Sequence, residues 1–430
     1  KGFEITGSDD EIFEPSRSRL AARGLLPEIP GWHPEKINSD IDIVILGMHA
    51  RADNPELTRA ADLGLKLMSF PEFLFEQTKN KKRIVVAGSH GKTTTTAMIM
   101  HVMKTLGIRF DYMVGSSIEG YETMVSLSDD SEFAVLEGDE YLTSPIDRRP
   151  KFHLYMPDIA VINGIAWDHM NVFPTFENYV EQFRIFTDKI PSGGSLVYFE
   201  DDPEVKKISE SARDDIKKIP YSVHAHFQNK TGFYAVTINR TIPLQFFGWH
   251  NMQNLSAARE ACLAAGISAD RFYDAIVSFS GTSGRLQLIK ENEKGIFYYD
   301  FAHSPSKVKA TVEAVSERFP GRDLVACFEL HTFSSLSRNF LPLYKGSLEK
   351  ATSAVVYFNP HQFEIKKLEP LSPDTFKEGF GGNNLTVFDD SSEMMDHIGK
   401  MKLKSPVWLF MSSGDFDGCN LKMLAEELLA

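Results

Sequence analysis

Apolar residues along the chain fall into two patterns. The first is a short unbroken run, seen at Ile43-Val44-Ile45-Leu46, Ile84-Val85-Val86-Ala87, Phe133-Ala134-Val135-Leu136, Ile159-Ala160-Val161-Ile162, Leu324 to Phe328, Ala354 to Phe358 and Val407 to Phe410. A run that is apolar at every position suits a parallel strand covered on both faces. Phe3 to Thr6 and Phe297 to Tyr299 are shorter strand candidates. The second pattern is helical spacing. It covers Leu57 to Leu63, the stripe Met98, Ile99, Val102, Met103 and Leu106, the Ala-rich Asn251 to Ala265, and Ser306 to Phe319. Strands alternating with helices predict α/β layers.

The 430 residues exceed one ordinary core. The polar spacer Thr78 to Lys82 and the turn near Gly284 divide the chain into three α/β domains, 1–80, 81–283 and 284–430. The segment Phe272 to Phe279 closes the second. The first reads as half of a dinucleotide-type domain. Lys1 to Asp9 reads as its second strand and turn, so this domain is expected to be N-terminally incomplete.

Composition narrows the picture. Hydrophobic residues make up 42% and charged residues 24%, which is globular rather than disordered. The net charge of −13 and the lack of a long basic run argue against a nucleic-acid groove. Any phosphate must therefore be held locally, by amides, a lysine or a metal. Cys262, Cys327 and Cys419 are far apart and predict free thiols rather than disulfides or a zinc site. No apolar stretch is long enough to cross a bilayer, and no signal peptide is visible.

Candidate chemistry starts at Gly88-Ser89-His90-Gly91-Lys92-Thr93, which follows a strand and opens a helix. Glycines let successive backbone N–H groups curl around a phosphate, and the helix start adds unpaired donors. Lys92 would reach the outer phosphates and the Thr93 hydroxyl would ligate magnesium. Thr94 to Thr96 are β-branched and weak helix formers, which suggests that their hydroxyls are used. Glu137 ends a strand, where open α/β sheets bind ligands, and His169 lies just beyond another. Together they are expected to hold a second Mg²⁺.

These motifs resemble the Mur ligase family over nearly the full length. The residues that carry the likeness are Gly88 to Thr95, Glu137-Gly138-Asp139-Glu140-Tyr141, Asn163 with Asp168-His169-Met170, Gly248 with His250 to Asn254 and Ala257-Ala258, Gly281 to Arg285, and Asp300 to Pro305. The resemblance implies a Rossmann-like N-terminal domain that binds a UDP-sugar, a central P-loop ATPase-like domain, and a Rossmann-like C-terminal domain that binds the amino acid or peptide. It implies an ATP- and Mg²⁺-dependent enzyme that joins an amine to a carboxylate through an acyl phosphate. Ser89, His90, Thr94, Asn251, Asn254, Asp300 and His303 would bind nucleotide. Lys92, Glu137, His169 and Arg285 would be catalytic, and Thr93, Glu137 and His169 would hold metal. Ser8, Asp9 and His49 would lie near the UDP pocket. A cytoplasmic monomer or weak homodimer is implied, with no nucleic-acid or membrane partner.

Two branches of the family fit. In one, the tripeptide L-alanyl-γ-D-glutamyl-meso-diaminopimelate is attached to UDP-N-acetylmuramate during murein recycling. In the other, L-alanine is added to the same nucleotide. Glu137 to Tyr141, Asp147 to Phe152, Tyr155, and Arg51 before Asn54-Pro55-Glu56 resemble the tripeptide branch, which is the expected activity. His331-Thr332-Phe333 resembles the alanine branch. Leu142 stands where the family has aspartate, Gly138 where it has alanine, and Gly284 where it has the first of two arginines. The segment Glu329 to Phe340, with Arg338, would face the acceptor. Tyr179 to Phe183 contains no lysine, so no carboxylated lysine is expected there.

Overall fold

The computed structural model describes residues 2–14, 16–48, 51–144, 146–167, 172–229 and 232–430. Among these the strands form sheets of two, three, six and seven members.

The seven-stranded sheet runs Val125–Ser126, Phe110–Met113, Phe133–Glu137, Lys82–Ala87, Ile159–Ile162, Ser195–Phe199 and Lys217–Tyr221. All neighbours are parallel except the short Val125–Ser126 edge. Unbroken apolar runs become its central strands because both faces are covered. Ile84, Val86, Val135 and Val161 pack on one side with Met98, Val102, Leu255 and Ala258. Val85, Ala87, Leu136 and Ile162 pack on the other with Phe152, Tyr179, Phe183 and Phe186. Each such side chain contributes roughly 1.5–3 kcal/mol on burial.

Lys82–Ala87 sits between Phe133–Glu137 and Ile159–Ile162, so three parallel strands deliver their carboxyl ends to one edge. The chain goes from Lys82–Ala87 first to one side of the sheet and later to the other, and such a reversal opens a crevice at the strand ends.

The six-stranded sheet runs Gln287–Glu291, Ile296–Asp300, Val407–Met411, Leu324–Glu329, Ser353–Tyr357 and Leu385–Phe388, parallel except for its first strand. The three-stranded antiparallel sheet, His226–Asn229, Gly232–Val236 and Thr241–Leu244, carries no strong apolar run and had no counterpart in the pattern reading.

Two expectations need correction. Phe3 to Thr6 forms no strand, and Phe3 and Ile5 are exposed. Phe3 instead lies edge-on to Phe73. Among the described residues Ile43–Leu46 pairs only with Lys66–Ser69, and Ile45 is 44% exposed, so this run is not covered on both faces there. The helix Phe70–Thr78 follows, closed by a Ser69–Glu72 capping box. It meets the central unit through Arg149, which reaches Glu72 at 3.0 Å, and through Arg83 stacked over Phe75.

Candidate active site

The loop between Ala87 and Lys92 is fixed by two glycines in the left-handed region. Gly88 has φ +126°, and a Cβ there would sit 2.8 Å from the Asn163 amide nitrogen. Gly91 has φ +70° and caps the helix Lys92–Thr105, and a Cβ there would collide with Asn254 Oδ1. The backbone must pass this close because the Asn163 turn and the helix Trp249–Ala264 press against the loop from behind. Asn163 binds them together. Its amide donates to Thr95 Oγ1 at 2.9 Å, its Oδ1 accepts from Tyr221, and its carbonyl accepts from Gln253. Thr95 in turn donates to Asn254 Oδ1 at 3.3 Å. The threonine run thus anchors this helix start to two neighbouring elements.

At the mouth of the loop, the Lys92 ammonium donates to the Gly88 carbonyl at 2.8 Å and to Glu140 Oε2 at 2.7 Å. Burial works against its charge, but the carboxylates of Glu140, Asp139 and Glu137 outweigh that and hold its pKa above the usual lysine value. Asp139 is only partly exposed, and Lys151 followed by Lys92 overcomes the desolvation and keeps its carboxyl below the usual range. Thr93 Oγ1 donates to Glu137 Oε1 at 2.9 Å, while Glu137 Oε2 accepts from the Gly115 amide. A hydroxyl and a carboxylate side by side are hard oxygen donors of the kind Mg²⁺ takes. Among the described residues no cluster of three or more His, Cys, Asp or Glu would hold a metal. Asp168 and His169 lie outside the described residues, as does His49.

This edge opens on a cavity of about 860 Å³. Ser89 to Thr94 and Glu137 form one wall, Trp249 to Asn251 with Asn254 another, and Arg285, Asp300 and Ser306 a third. Gly88 and His303 are not among the lining residues, and the His303 ring is bonded to the Phe301 carbonyl. His250 Nδ1 and Thr282 Oγ1 are buried in this lining without a protein partner. Burial lowers the His250 pKa to about 4, so its imidazole is neutral. Phe246, Phe247 and Trp249 line the same cavity and offer flat apolar surface to a ligand.

Asp300 ends its strand and accepts from the amides of Leu286 and Ala302 at 2.5 and 2.6 Å. Burial pushes its carboxyl pKa up, and Arg285 with these amides offsets only part of that. Arg285 stacks over Phe301 at 4.8 Å. Gly284, with φ +70°, donates its amide to Gln287 at 2.8 Å. That left-handed turn explains why a side chain, arginine included, is disfavoured there. A direct contact joins the loop to the third unit, where Ser306 Oγ lies 3.0 Å from His90 Nε2.

Comparison with known proteins follows these same elements. Residues 86–262 match the Mur ligase middle domain, and residues 284–414 match the Mur ligase glutamate ligase domain. The UDP-N-acetylmuramate--L-alanine ligase of Carboxydothermus hydrogenoformans is 30% identical over 78% of this chain and 72% of its own length. The chain belongs to the Mur ligase family. It is an ATP-dependent ligase of peptidoglycan metabolism. The fold agrees: the UDP-N-acetylmuramate-alanine ligase of Thermotoga maritima superposes with a TM-score of 0.70 at 20% identity, covering 98% of this chain and 92% of its own. A murein peptide ligase from Psychrobacter arcticus gives 0.64 at 22% identity, covering 98% and 93%. The three-domain α/β Mur ligase architecture, with Rossmann-like outer domains around a P-loop centre, is the observed fold class.

In this Mur ligase Glu140 and Tyr179 carried no individual role in the sequence, and Glu329 was read only as the start of the acceptor-facing segment. Glu140 belongs to the Glu137–Tyr141 run, and a second acid three residues after a strand-end acid was the available signal. Tyr179 gave none, yet its hydroxyl donates to Glu140 Oε1 at 3.1 Å. Glu329 is buried, accepts from Ser412 and from the Phe416 amide, and lies 3.7 Å from His331 Nδ1. Burial opposes its charge, but His331, Ser412 and the Phe416 amide together hold its carboxyl below the usual range.

Proposed function

We propose that this Mur ligase joins L-alanine to UDP-N-acetylmuramate, with ATP consumed through an acyl phosphate. The observation that carries the ATP half is the loop lysine set beside the Thr93–Glu137 oxygen pair at the mouth of one cavity shared by the second and third units. The alanine half is supported by relatives named for that reaction and by the acceptor-side segment. In that segment the buried Glu329 carboxylate is engaged by Ser412, the Phe416 amide and His331, leaving the exposed Arg338 to meet an incoming carboxylate. One small amino acid has one carboxylate to place.

In this reading residues 1–80 hold the UDP-sugar, 81–283 the ATP, and 284–430 the amino acid. The loop amides from Ser89 to Thr94 and Lys92 hold the outer phosphates. Thr93, Glu137 and His169 hold Mg²⁺, which when bound neutralises phosphate charge. Asn251, Asn254 and His250 border the base, and Arg285 and Asp300 meet the nucleotide from the facing wall. His303 orients that wall. The muramoyl carboxylate attacks the γ-phosphorus and ADP leaves. The alanine amine then attacks the acyl carbon, and phosphate leaves as the amide forms. Alignment and charge neutralisation do most of this work. A cytoplasmic site of action agrees with free thiols at Cys262, Cys327 and Cys419.

A second reading has the tripeptide as acceptor, favoured by the Glu137–Tyr141 and Asp147–Tyr155 sequences. The test supplies Mg-ATP, UDP-N-acetylmuramate, and L-alanine and tripeptide in competition, with product read by mass. We expect the alanyl product to dominate by at least about tenfold, a difference of about 1.4 kcal/mol. Tripeptide product in excess replaces the first reading with the second. No phosphate release with either acceptor removes both.

A further inference from the structure

The cation of the phosphate loop is already engaged. Lys92 pairs with Glu140, whose side chain is only 1% exposed. Glu140 is held in turn by a chain of hydroxyls whose direction can be worked out. The Ala166 amide donates to Ser89 Oγ at 2.9 Å, Ser89 Oγ lies 2.8 Å from the Tyr179 hydroxyl, and that hydroxyl is 3.1 Å from Glu140 Oε1. An ionised carboxylate only accepts, so Tyr179 spends its proton on Glu140 and must accept from Ser89. The chain therefore ends on a Glu140 side chain held at both oxygens, Oε1 by Tyr179 and Oε2 by Lys92. Around the loop, three carboxylates (Glu137, Asp139 and Glu140) face two ammoniums (Lys92 and Lys151). Arg285, Lys307 and Arg318 line the cavity farther out, so a triphosphate without metal meets this excess of carboxylates at the loop itself.

We infer that Glu140 is a positioning residue that makes nucleotide binding conditional on a divalent cation, by occupying Lys92 so that the loop discriminates against metal-free ATP. This rests on the ATP reading above. With Mg²⁺ bound to the nucleotide, the lower charge removes most of the repulsion, and Lys92 bridges phosphate and Glu140. Without it, the triphosphate has to compete with Glu140 for the only side-chain cation on the loop.

The test is equilibrium binding of ATP by calorimetry, in excess Mg²⁺ and in EDTA, to the full chain and to Glu140→Gln, which keeps the shape of the side chain. For the unaltered protein, metal-free ATP is expected to bind at least about 100-fold more weakly than Mg-ATP. Glu140→Gln should improve metal-free binding by about tenfold or more, the scale of one charge-assisted contact, with Mg-ATP affinity changed much less. Glu140→Asp, which keeps the charge, should restore the discrimination. The gain should vanish when Lys92→Ala is added, because it acts through Lys92. An unchanged ratio in Glu140→Gln, or a gain that survives Lys92→Ala, overturns the inference. If Glu140→Gln does not fold, similar affinities of the unaltered protein for the two forms overturn it alone. Failure of the unaltered protein to bind Mg-ATP would instead remove the ATP reading.

Discussion

At the scale of single residues, the site is a set of charges whose meaning depends on their neighbours. Lys92 and Glu140 form a buried pair, 15% and 1% exposed. Removing one partner leaves the other uncompensated, at a cost of roughly 3–5 kcal/mol. Lys92→Ala is therefore expected to lower stability as well as to reduce kcat by about 100- to 1000-fold. Adding Glu140→Gln should recover much of the stability in a urea melt and none of the turnover. Asp139 gives the pH dependence. Its folded pKa lies below the unfolded value of about 3.9, so folding is favoured by its ionisation. That contribution is complete above about pH 4 and is lost as pH falls through the folded value. The stability gap between the unaltered protein and Asp139→Asn should accordingly be flat from pH 5 to 8 and shrink below about pH 4, as urea melts across that range would show.

At the scale of elements, much of the site was legible from local pattern. The glycine loop between an apolar run and a helix and the strand-end Glu137 read directly, because each signal lies within a few residues, whereas Asn251 and Asn254 were named by the family resemblance. The structure adds what packs behind them. Gly91 could be read as a phosphate-loop glycine, but its close approach to Asn254 involves a helix more than 150 residues away. Gly91→Ala is expected to cost more than about 1 kcal/mol, from both the left-handed backbone and the collision. It should also abolish ATP binding by moving the helix start, with denaturant melts and calorimetry as the readouts. Tyr179 was invisible for a related reason. On the sequence it is one aromatic among several on the helix Phe176–Asp188, and only packing of that helix against the loop brings its hydroxyl to Ser89 and Glu140.

At the scale of the whole molecule, one cavity takes its walls from the second and third units, and His90–Ser306 joins them directly. A ligand that touches both must stabilise both. Mg-ATP at 100 times its Kd is expected to add about 2.7 kcal/mol to unfolding and to slow protease cleavage within residues 280–286, the connection between the two. Cleavage there at an unchanged rate, with Mg-ATP bound, would show that the ligand engages one wall only. The helix Phe70–Thr78 of the first unit is tied to the second by Leu74, fully buried in the second unit's core, and at the surface by the Arg149–Glu72 and Arg83–Phe75 contacts. Arg149 and Glu72 are both more than a third exposed, so the ion pair is worth less than about 1 kcal/mol. Here the sequence was least reliable. Phe3 to Thr6 has a strand's composition, but a strand exists only where another offers it backbone partners.

By itself the sequence determined the α/β layering, the glycine loop between strand and helix, and the family, since these rest on short-range periodicity and on motifs whose spacing the chemistry dictates. Tertiary structure alone decided which charges meet. Glu140 on Lys92, Glu329 on the Ser412–Phe416 loop, and Asp300 on the Leu286 amide are contacts between strand ends and loops set by sheet order. A charge's field and desolvation depend on distance in space, and no local pattern carries that distance.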